Sequence, residues 1–180
     1  MNSLTCVLLS LLVVLGAEAA YLTNYDQPFD FICPSGQALS YIASEDNNFF
    51  NDRVWEFRCR KVGATRNCAK SGESQLHLLT YAKSGYVNEF DLLLAYVCPD
   101  DYIVTGVESY SENFFEDRRF KFQCCQLEAE FRECSVTDFL NKFDEKFAYT
   151  VPAGYVIRGA FSAHNDVYED RMWKLNICKV

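Results

Sequence analysis

Three segments of the chain repeat one pattern of about forty residues, and this repeat limits the possible folds more than any other feature. Residues 21–60, 86–125 and 139–178 align over forty columns without a gap. The columns that are identical in all three units include an early Asp, a Pro and an adjacent Asp-Arg pair. Segments that share a pattern in this way solve the same packing problem, which predicts three similar sectors of one pseudo-threefold domain.

Each unit is predicted to consist of β-strands. Residues 54–59 alternate with a period of two, which places Trp55, Phe57 and Cys59 on one face of a half-buried strand. Three further strands are predicted where β-branched and aromatic residues follow a turn that contains Pro, at residues 38–45, 102–110 and 155–163. The polar stretches 44–48, 109–113 and 163–166 are predicted as loops. We therefore expect an all-β domain, in which residues 73–81 of the first linker form either a short helix or an extra strand.

The N-terminus has the features of a secretory signal peptide. An apolar run from Val7 to Leu15 is followed by Ala17, Glu18 and Ala19, the small-x-small pattern of a signal-peptidase site. This run is too short to span a bilayer as a membrane anchor. We therefore predict that residues 1–19 are a signal peptide, that residues 20–180 form a single domain, and that the protein is secreted into the extracellular space or the extracellular matrix.

The cysteine count predicts disulfides. The chain has 9 cysteines, and removal of the signal peptide with Cys6 leaves an even number. An even number of cysteines in an oxidising compartment is typical of a disulfide framework. A zinc site would need paired cysteine motifs or histidine partners, whereas His77 and His164 lie far apart. We expect a disulfide-stapled β domain with no metal and no cofactor.

The repeat columns predict how the cysteines pair. Two cysteine columns of the first and second units are lost together in the third unit, where Val151 and Ile177 replace them, and joint loss indicates that the two columns touch. Another column holds Cys125 and Cys178, each in a unit that follows a linker with one cysteine. The predicted pairs are Cys33–Cys59, Cys98–Cys124, Cys68–Cys125 and Cys134–Cys178. Exchanging the partners of Cys124 and Cys125 fits the composition equally well, so this alternative stays open.

Charge and residue types argue against two classes of function. The formal net charge is −8, whereas phosphate binding relies on a basic surface, so we predict no nucleic-acid partner. Hydrolytic catalysis would need paired carboxylates, a nucleophile beside a base, or a histidine relay, and neither histidine lies in a repeated column. The even cysteine count also disfavours a redox switch at Cys124 and Cys125. We predict that the protein is not an enzyme.

The adjacent Asp and Arg, with the aromatic residue two positions later, form a repeated motif whose role is predicted to be structural. An Arg can form charge-assisted bonds to a carboxylate or to several backbone carbonyls, which would fix the loop that leads into the strand. The alternative is that three copies of the motif make three equivalent ligand sites. The motif residues are Asp52, Arg53, Trp55, Asp117, Arg118, Phe120, Asp170, Arg171 and Trp173.

The polar stretch just before each motif is the better candidate for ligand binding. In each unit it combines amide or carboxylate side chains with a following aromatic residue, a combination that suits sugars, and three weak sites would gain from avidity. The same oxygen-rich residues could hold Ca²⁺, but the spacing matches no EF-hand. A solvated loop without a ligand is the plain alternative. The candidate residues are Asp46, Asn47, Asn48, Glu112, Asn113, Asn165 and Asp166.

The thrice-used pattern, seen as NDRVWEF, EDRRFKF and EDRMWKL, resembles the dermatopontin family over essentially the whole mature chain. The opening YLTNYDQPFDFICPSGQ is most similar to the invertebrate branch that includes the haemagglutinin and amebocyte aggregation factor. The resemblance implies a secreted, non-enzymatic adhesion or agglutination protein that binds glycans, collagen, proteoglycans or cell surfaces, with possible self-association. It also implies two alternatives, a structural matrix or biomineral protein and a secreted cytotoxin.

The second unit departs from the family pattern at two places. Phe120 stands where the motif often has Trp, and residues 91–96 read DLLLAY where the invertebrate relatives tend to have Asp-Gln-Pro. If the loop that begins at the early Asp is a binding element of each unit, the sequence DLLLAY argues against binding by the copy in the second unit. The third unit lacks the internal cysteine pair of the other two.

Overall fold

A computed structural model describes residues 21–72 and 85–180 of the chain. Within these residues all regular structure is β-strand, in agreement with the predicted all-β class. The predicted signal peptide and residues 73–81 lie outside the described residues. In the part of the chain that the structure covers, no helix could cross a membrane.

Each unit contributes one short strand and two long strands. In the first unit these are β1 (Phe29–Ile32), β2 (Gln37–Asn47) and β3 (Asp52–Lys61); in the second, β5 (Leu94–Val97), β6 (Tyr102–Glu112) and β7 (Asp117–Leu127); and in the third, β9 (Phe147–Thr150), β10 (Tyr155–Asn165) and β11 (Asp170–Lys179). The linkers add β4 (Thr65–Lys70) and β8 (Arg132–Val136). In every unit the two long strands form an antiparallel hairpin.

The short strand of each unit pairs with a different unit. Strand β1 pairs with β6, β5 pairs with β10, and β9 pairs with β2, so each unit lends one strand to another unit and receives one. Three antiparallel sheets result, with strand orders β1-β6-β7-β4, β5-β10-β11-β8 and β3-β2-β9. Because the sheets share strands in this cyclic way, no unit can complete its sheet alone.

A serine column that the sequence analysis passed over lies at this exchange. Ser44, Ser109 and Ser162 occupy the same column and are all buried. Each lies opposite a large apolar residue of another unit's short strand, in the pairs Phe147–Ser44, Phe29–Ser109 and Leu94–Ser162. A small side chain on the long strand leaves room for the large one, which explains the same residue in three units.

The core centres on three aromatic rings, one from each unit. Trp55, Phe120 and Trp173 occupy the same column and contact one another edge to face, with ring centroids 4.9–5.9 Å apart. All three side chains are buried within one large apolar cluster. Aromatic pairs with this geometry add stability beyond the area that they bury, so the centre of the molecule ties the three units together.

Four disulfides support the sheets, in the same pairs that the repeat columns predict. Cys33–Cys59 and Cys98–Cys124 lie within the first and second units, while Cys68–Cys125 and Cys134–Cys178 fix the linker strands to the units that follow. In the third unit, Val151 and Ile177 are buried in the apolar cluster at the positions of the missing pair. Each bridge contributes about 2–4 kcal/mol by the usual estimate.

The loop prediction was wrong for all but the last residue of each polar stretch. Strands β2, β6 and β10 continue through the polar stretches and end at Asn47, Glu112 and Asn165, because these residues stay paired with the strand that follows. The loops instead lie at residues 48–51, 113–116 and 166–169, and each overlaps the predicted loop by one residue. We call these three loops the hairpin tips. Backbone pairing within a hairpin outweighs the low strand preference of Asp and Asn.

Candidate functional site

The repeated Asp and Arg residues form a closed ring of ion pairs between the units. Arg53 donates to Asp170, Arg118 to Asp52, and Arg171 to Asp117, each through Nε and Nη2 at 2.5–2.7 Å. The six side chains are 2–5% exposed. We call these six residues the Asp-Arg ring.

Each Arg of the ring also binds the backbone of its partner's unit. Nη2 of Arg53 donates to the carbonyl of Glu145, Nη2 of Arg118 to that of Gln27, and Nη2 of Arg171 to that of Leu92, at 3.0–3.2 Å. Bidentate pairs of this kind add geometric specificity as well as energy. The ring therefore fixes the loop before each short strand, close to the structural role predicted for the motif, although the pairs run between units.

The early Asp of each unit completes the carboxylate's hydrogen bonds. The backbone N–H of Asp26, Asp91 and Asp144 donates to the ring Asp of its own unit at 2.7–2.9 Å. All three have a positive φ of 59–63°, a left-handed conformation that Asp tolerates better than most residues. This turn aims the N–H at the carboxylate, which explains why the column is always Asp.

The position of the Asp and Arg on a strand indicates that each must pair with another part of the chain. Neighbouring residues on a strand point to opposite faces, so an adjacent Asp and Arg cannot bond to each other. Two charged residues that are identical in three units, each beside core aromatics, must then find partners elsewhere. Which unit supplies the partner has no local signal, because the paired residues are 54–117 positions apart in the chain.

The ring borders a recess at the end of the molecule where the three hairpins turn. The residue before each ring Asp, namely Asn51, Glu116 or Glu169, lines this recess. Asp46 also lines it, and burial together with the nearby Asp170 carboxylate raises the pKa of Asp46 to about 7. The recess thus combines buried guanidinium groups with a carboxyl that titrates near neutral pH.

The three hairpin tips have the same construction. In each tip the residue before the ring Asp adopts φ of 47–48°, and the backbone closes a tight turn. An aromatic residue of the tip stacks on an aromatic residue near the start of the same unit, with interplanar angles of 6–8°. The stacked pairs are Tyr25–Phe50, Phe90–Phe115 and Phe143–Tyr168.

Each tip carries one fully projecting apolar side chain next to the stacked pair. Phe49, Phe114 and Val167 are 85–86% exposed. In the first two units this ring contacts the stacked ring edge to face, at a centroid distance of 5.1 Å. The three tips border the same recess, so the molecule presents three exposed apolar groups around one polar centre.

The predicted binding residues divide between the tips and the strand ends. Asn48, Asn113 and Asp166 are exposed in the tips, and Glu112 is exposed at the end of β6. Asn47 and Asn165 are half-buried, and their side-chain oxygens accept the N–H of Phe49 and Val167. Asp46 faces the recess rather than the tip. The amides at the strand ends therefore shape the tips, and the exposed residues are the ones available to a ligand.

One cluster near the ring has a composition that suits a cation. Oxygens of Asp91 and Asp117 and a ring nitrogen of His164 lie within 4.8 Å of one another. Both oxygens of Asp117 already accept hydrogen bonds from Arg171, and the backbone N–H of Asp91 binds one of them as well. A cation here would compete with the ring, so the cluster does not alter the expectation of a protein without a metal.

The fold and site define a class: a disulfide-linked β-sheet protein that holds three exposed tips around a buried polar ring. The chain belongs to the dermatopontin family, whose model matches residues 23–180 under the description "Dermatopontin". No solved structure matches the chain.

Three curated proteins illustrate the range of the family. The chain is 40% identical to "Dermatopontin" of Biomphalaria glabrata over 161 residues, which are 89% of this chain and 100% of that protein. It is 31% identical to "Hemagglutinin/amebocyte aggregation factor" of Limulus polyphemus over 183 aligned positions, covering 100% and 98%. It is 33% identical to "Millepora cytotoxin-1" of Millepora dichotoma over 158 residues, covering 87% of this chain and 65% of that protein.

Proposed function

We propose that this chain is a secreted, non-enzymatic adhesion or agglutination protein that binds glycans or extracellular-matrix components through its hairpin tips. One observation carries the proposal: an exposed apolar side chain stands beside a stacked aromatic pair at the same position of all three tips around one recess. Single exposed apolar residues are common on protein surfaces, whereas apolar groups that cluster on one face mark interaction sites, and these three surround one recess. The names of two relatives, a dermatopontin and a haemagglutinin, agree with it.

The chemistry of the tips suits carbohydrate. Asn48, Asn113 and Asp166 offer amide or carboxylate groups to sugar hydroxyls, while Phe49 and Phe114 offer aromatic faces to the apolar side of a sugar ring. A single tip is small and would bind weakly. Three tips with fixed spacing gain affinity by avidity when the ligand is a polymer or a crowded surface.

We further propose that the units form a pseudo-threefold domain and that residues 1–19 direct secretion as a signal peptide. The cyclic strand exchange and the closed Asp-Arg ring support the first statement. The four disulfides support the second, since such bonds persist in oxidising compartments. Because all three tips border one recess, cross-linking two cells requires self-association, which we include in the proposal.

The test measures ligand binding by the folded, secreted protein on an array of glycans and matrix proteins, together with agglutination of cells. The variant Phe49→Ser, Phe114→Ser, Val167→Ser removes the three projecting groups, and we expect it to lose at least tenfold in apparent affinity. The matched control is Ile32→Ser, Val136→Ser, Phe139→Ser, which changes side chains that are 46–49% exposed outside the tips. Equal binding by the two triple variants would contradict the assignment to the tips.

Two other outcomes would favour the alternative functions. Recovery of the native protein in an insoluble matrix or shell extract, without glycan binding, would favour a structural matrix or biomineral protein. Release of dye from liposomes would favour a cytotoxin, a function suggested by the name of the Millepora relative. Exposed Leu92 and Leu93 in the second unit, 59% and 74% exposed, are the apolar residues to change in that case.

A further inference from the structure

The Asp-Arg ring leaves one nitrogen of each guanidinium without an acceptor. An Arg side chain has five N–H donors, and the ring uses those on Nε and Nη2. Nη1 of Arg53, Arg118 and Arg171 is buried and has no hydrogen-bond partner among residues 21–72 and 85–180. Buried donors without acceptors are rare in proteins. Because the same unsatisfied donor occurs in three equivalent side chains, it is a systematic feature of the ring.

Two further donors on the same walls are also unsatisfied. The indole Nε1 of Trp55 and Trp173 is buried without a partner in the part of the chain that the structure describes. Both indoles line the recess together with the three Arg side chains. The five side chains that carry these donors all line one recess, and each donor is an N–H group that requires an acceptor.

The size of the recess limits the acceptor. Its free space is about 20 Å³, and about 10–15 Å³ is enough for one water molecule. One water or one monoatomic ion fits, whereas a sulfate or phosphate would have to remain partly outside. A water molecule has only two lone pairs and brings its own two hydrogens, so it cannot accept from five donors.

The charges around the recess favour an anion of low charge over one of high charge. The ring holds three Arg and three Asp, and each carboxylate is already bound to the Nε and Nη2 edge of an Arg. The free Nη1 atoms therefore leave positive edges unpaired at the recess. Asp46, Glu116 and Glu169 also line it. Their negative charges weaken the binding of any anion, and they oppose a divalent anion about twice as strongly as a monovalent one.

We propose that the recess binds one small monovalent anion, of the chloride class, through Nη1 of the three ring Arg residues and the two indole N–H groups. The anion would link all three units at the point where their hairpins meet. The proposed ligand atoms belong to the ring Arg residues and the indoles and not to the exposed side chains of the tips, so the site does not depend on the proposed function.

The test uses the intact secreted protein with bromide as the probe. Crystals grown in bromide should show an anomalous peak in the recess, within hydrogen-bonding distance of the three Nη1 atoms. In solution the melting temperature should rise with bromide concentration and then saturate, when gluconate keeps the ionic strength constant. Ordered water alone in the recess, or a melting temperature that does not depend on the halide, would overturn the proposal.

Variants of the indoles separate binding from folding. The second unit already has Phe120 at the Trp column, so Trp55→Phe and Trp173→Phe suit the core. Each should raise the bromide concentration at half-saturation by about threefold to tenfold, since each removes one N–H donor. Phe122→Leu is the control, because Phe122 is buried in the core, is not part of the recess lining and stacks on Tyr96. It should lower the melting temperature and leave the half-saturation point unchanged, and equal half-saturation in all variants would rule out the indoles as ligands.

Discussion

The Asp-Arg ring has the same residues in all three units, whereas the positions around it differ between units. Ring residues are identical in the three units and almost completely buried. Six residues before each ring Asp, by contrast, the chain has Asp46, Ser111 and His164 in turn, three side chains with different charge and size. The internal cysteine pair likewise occurs in two units and gives way to Val151 and Ile177 in the third.

The difference follows from how each position finds its partners. A ring residue must match a residue of another unit, so a change in one unit would break a contact in the next. A residue beside the ring only has to fit its own surroundings. The fold therefore tolerates each of the residues that occur in a variable column. Replacing a residue of one unit by its counterpart in another unit tests the difference between the two kinds of position.

The largest effect is expected from breaking the ring. Arg118→Met removes both side-chain donors from Asp52 and leaves that carboxylate buried with only the N–H of Asp26 as a partner among the described bonds. Removing one partner of a buried ion pair, which leaves the other charge buried and unpaired, costs about 3–5 kcal/mol of stability. Urea denaturation followed by tryptophan fluorescence measures the change in the free energy of unfolding.

An exposed arginine provides the matched control for this substitution. Arg132 pairs with Glu130, and both side chains are largely exposed, so Arg132→Met should change stability by less than about 0.5 kcal/mol. A loss below about 1 kcal/mol for Arg118→Met would show that the ring does not hold the units together.

A moderate effect is expected when the second unit copies the third. In Cys98→Val, Cys124→Ile the disulfide is replaced by the residues that the third unit uses at the same columns. The cysteines are 26 positions apart, for which chain entropy gives about 3.5 kcal/mol. Because the new apolar side chains fill the buried space, we expect a net loss of about 2 kcal/mol in urea denaturation.

The comparison variant is Cys98→Ser, Cys124→Ser, which removes the same disulfide and buries two hydroxyl groups. Both positions are 0–2% exposed, so the serine variant should be less stable than the Val-Ile variant by about 1–3 kcal/mol. Equal stability of the two variants would mean that the third unit's apolar pair does not replace the disulfide by packing.

The repeat made the features within a unit predictable. The hairpin strands and the pairs Cys33–Cys59 and Cys98–Cys124 join columns of one unit, so aligned copies contain the information. The linker disulfides followed from which units have a cysteine before them. The exposed polar residues of the tips, such as Asn48 and Asn113, also lie close to where the sequence placed them.

Contacts between units could not be predicted in the same way. An alignment of copies shows that Arg53 recurs but not that its partner is Asp170, since all three ring Asp residues are equivalent in sequence. The short strands raise the same difficulty, because four residues such as Phe29–Ile32 carry too little pattern to indicate a partner in another unit. The burial of Asp46 follows only from that assembly, and its polar neighbours favoured a loop.

The smallest effect is expected beside the ring, at Asp46, and it should depend on pH. Burial, and then the charge of Asp170, raises the pKa of Asp46 from 3.8 to about 7; Arg53 acts in the opposite direction, and Asp144 and Asp52 add to the rise. The folded protein therefore holds this proton more tightly than the unfolded chain. The stability that results is fully present below about pH 4 and is lost as pH rises to about 7.

The variant Asp46→Ser copies Ser111 of the second unit and removes this titration. The measured quantity is the free energy of unfolding of the variant minus that of the original protein. Between pH 4 and pH 8 we expect this difference to shift in favour of the variant by about 1 kcal/mol. The shift is much smaller than the full pKa change would give, because water screens a half-buried carboxyl. Urea denaturation at a series of pH values measures the difference, and other titrating groups largely cancel in it. Ser111→Ala changes the same column of the second unit and removes no titrating group, so its difference should not vary with pH. If both variants gave flat differences, the carboxyl of Asp46 would titrate alike in the folded and unfolded chain, and the recess would not impose the cost of burial that its position beside Asp170 requires.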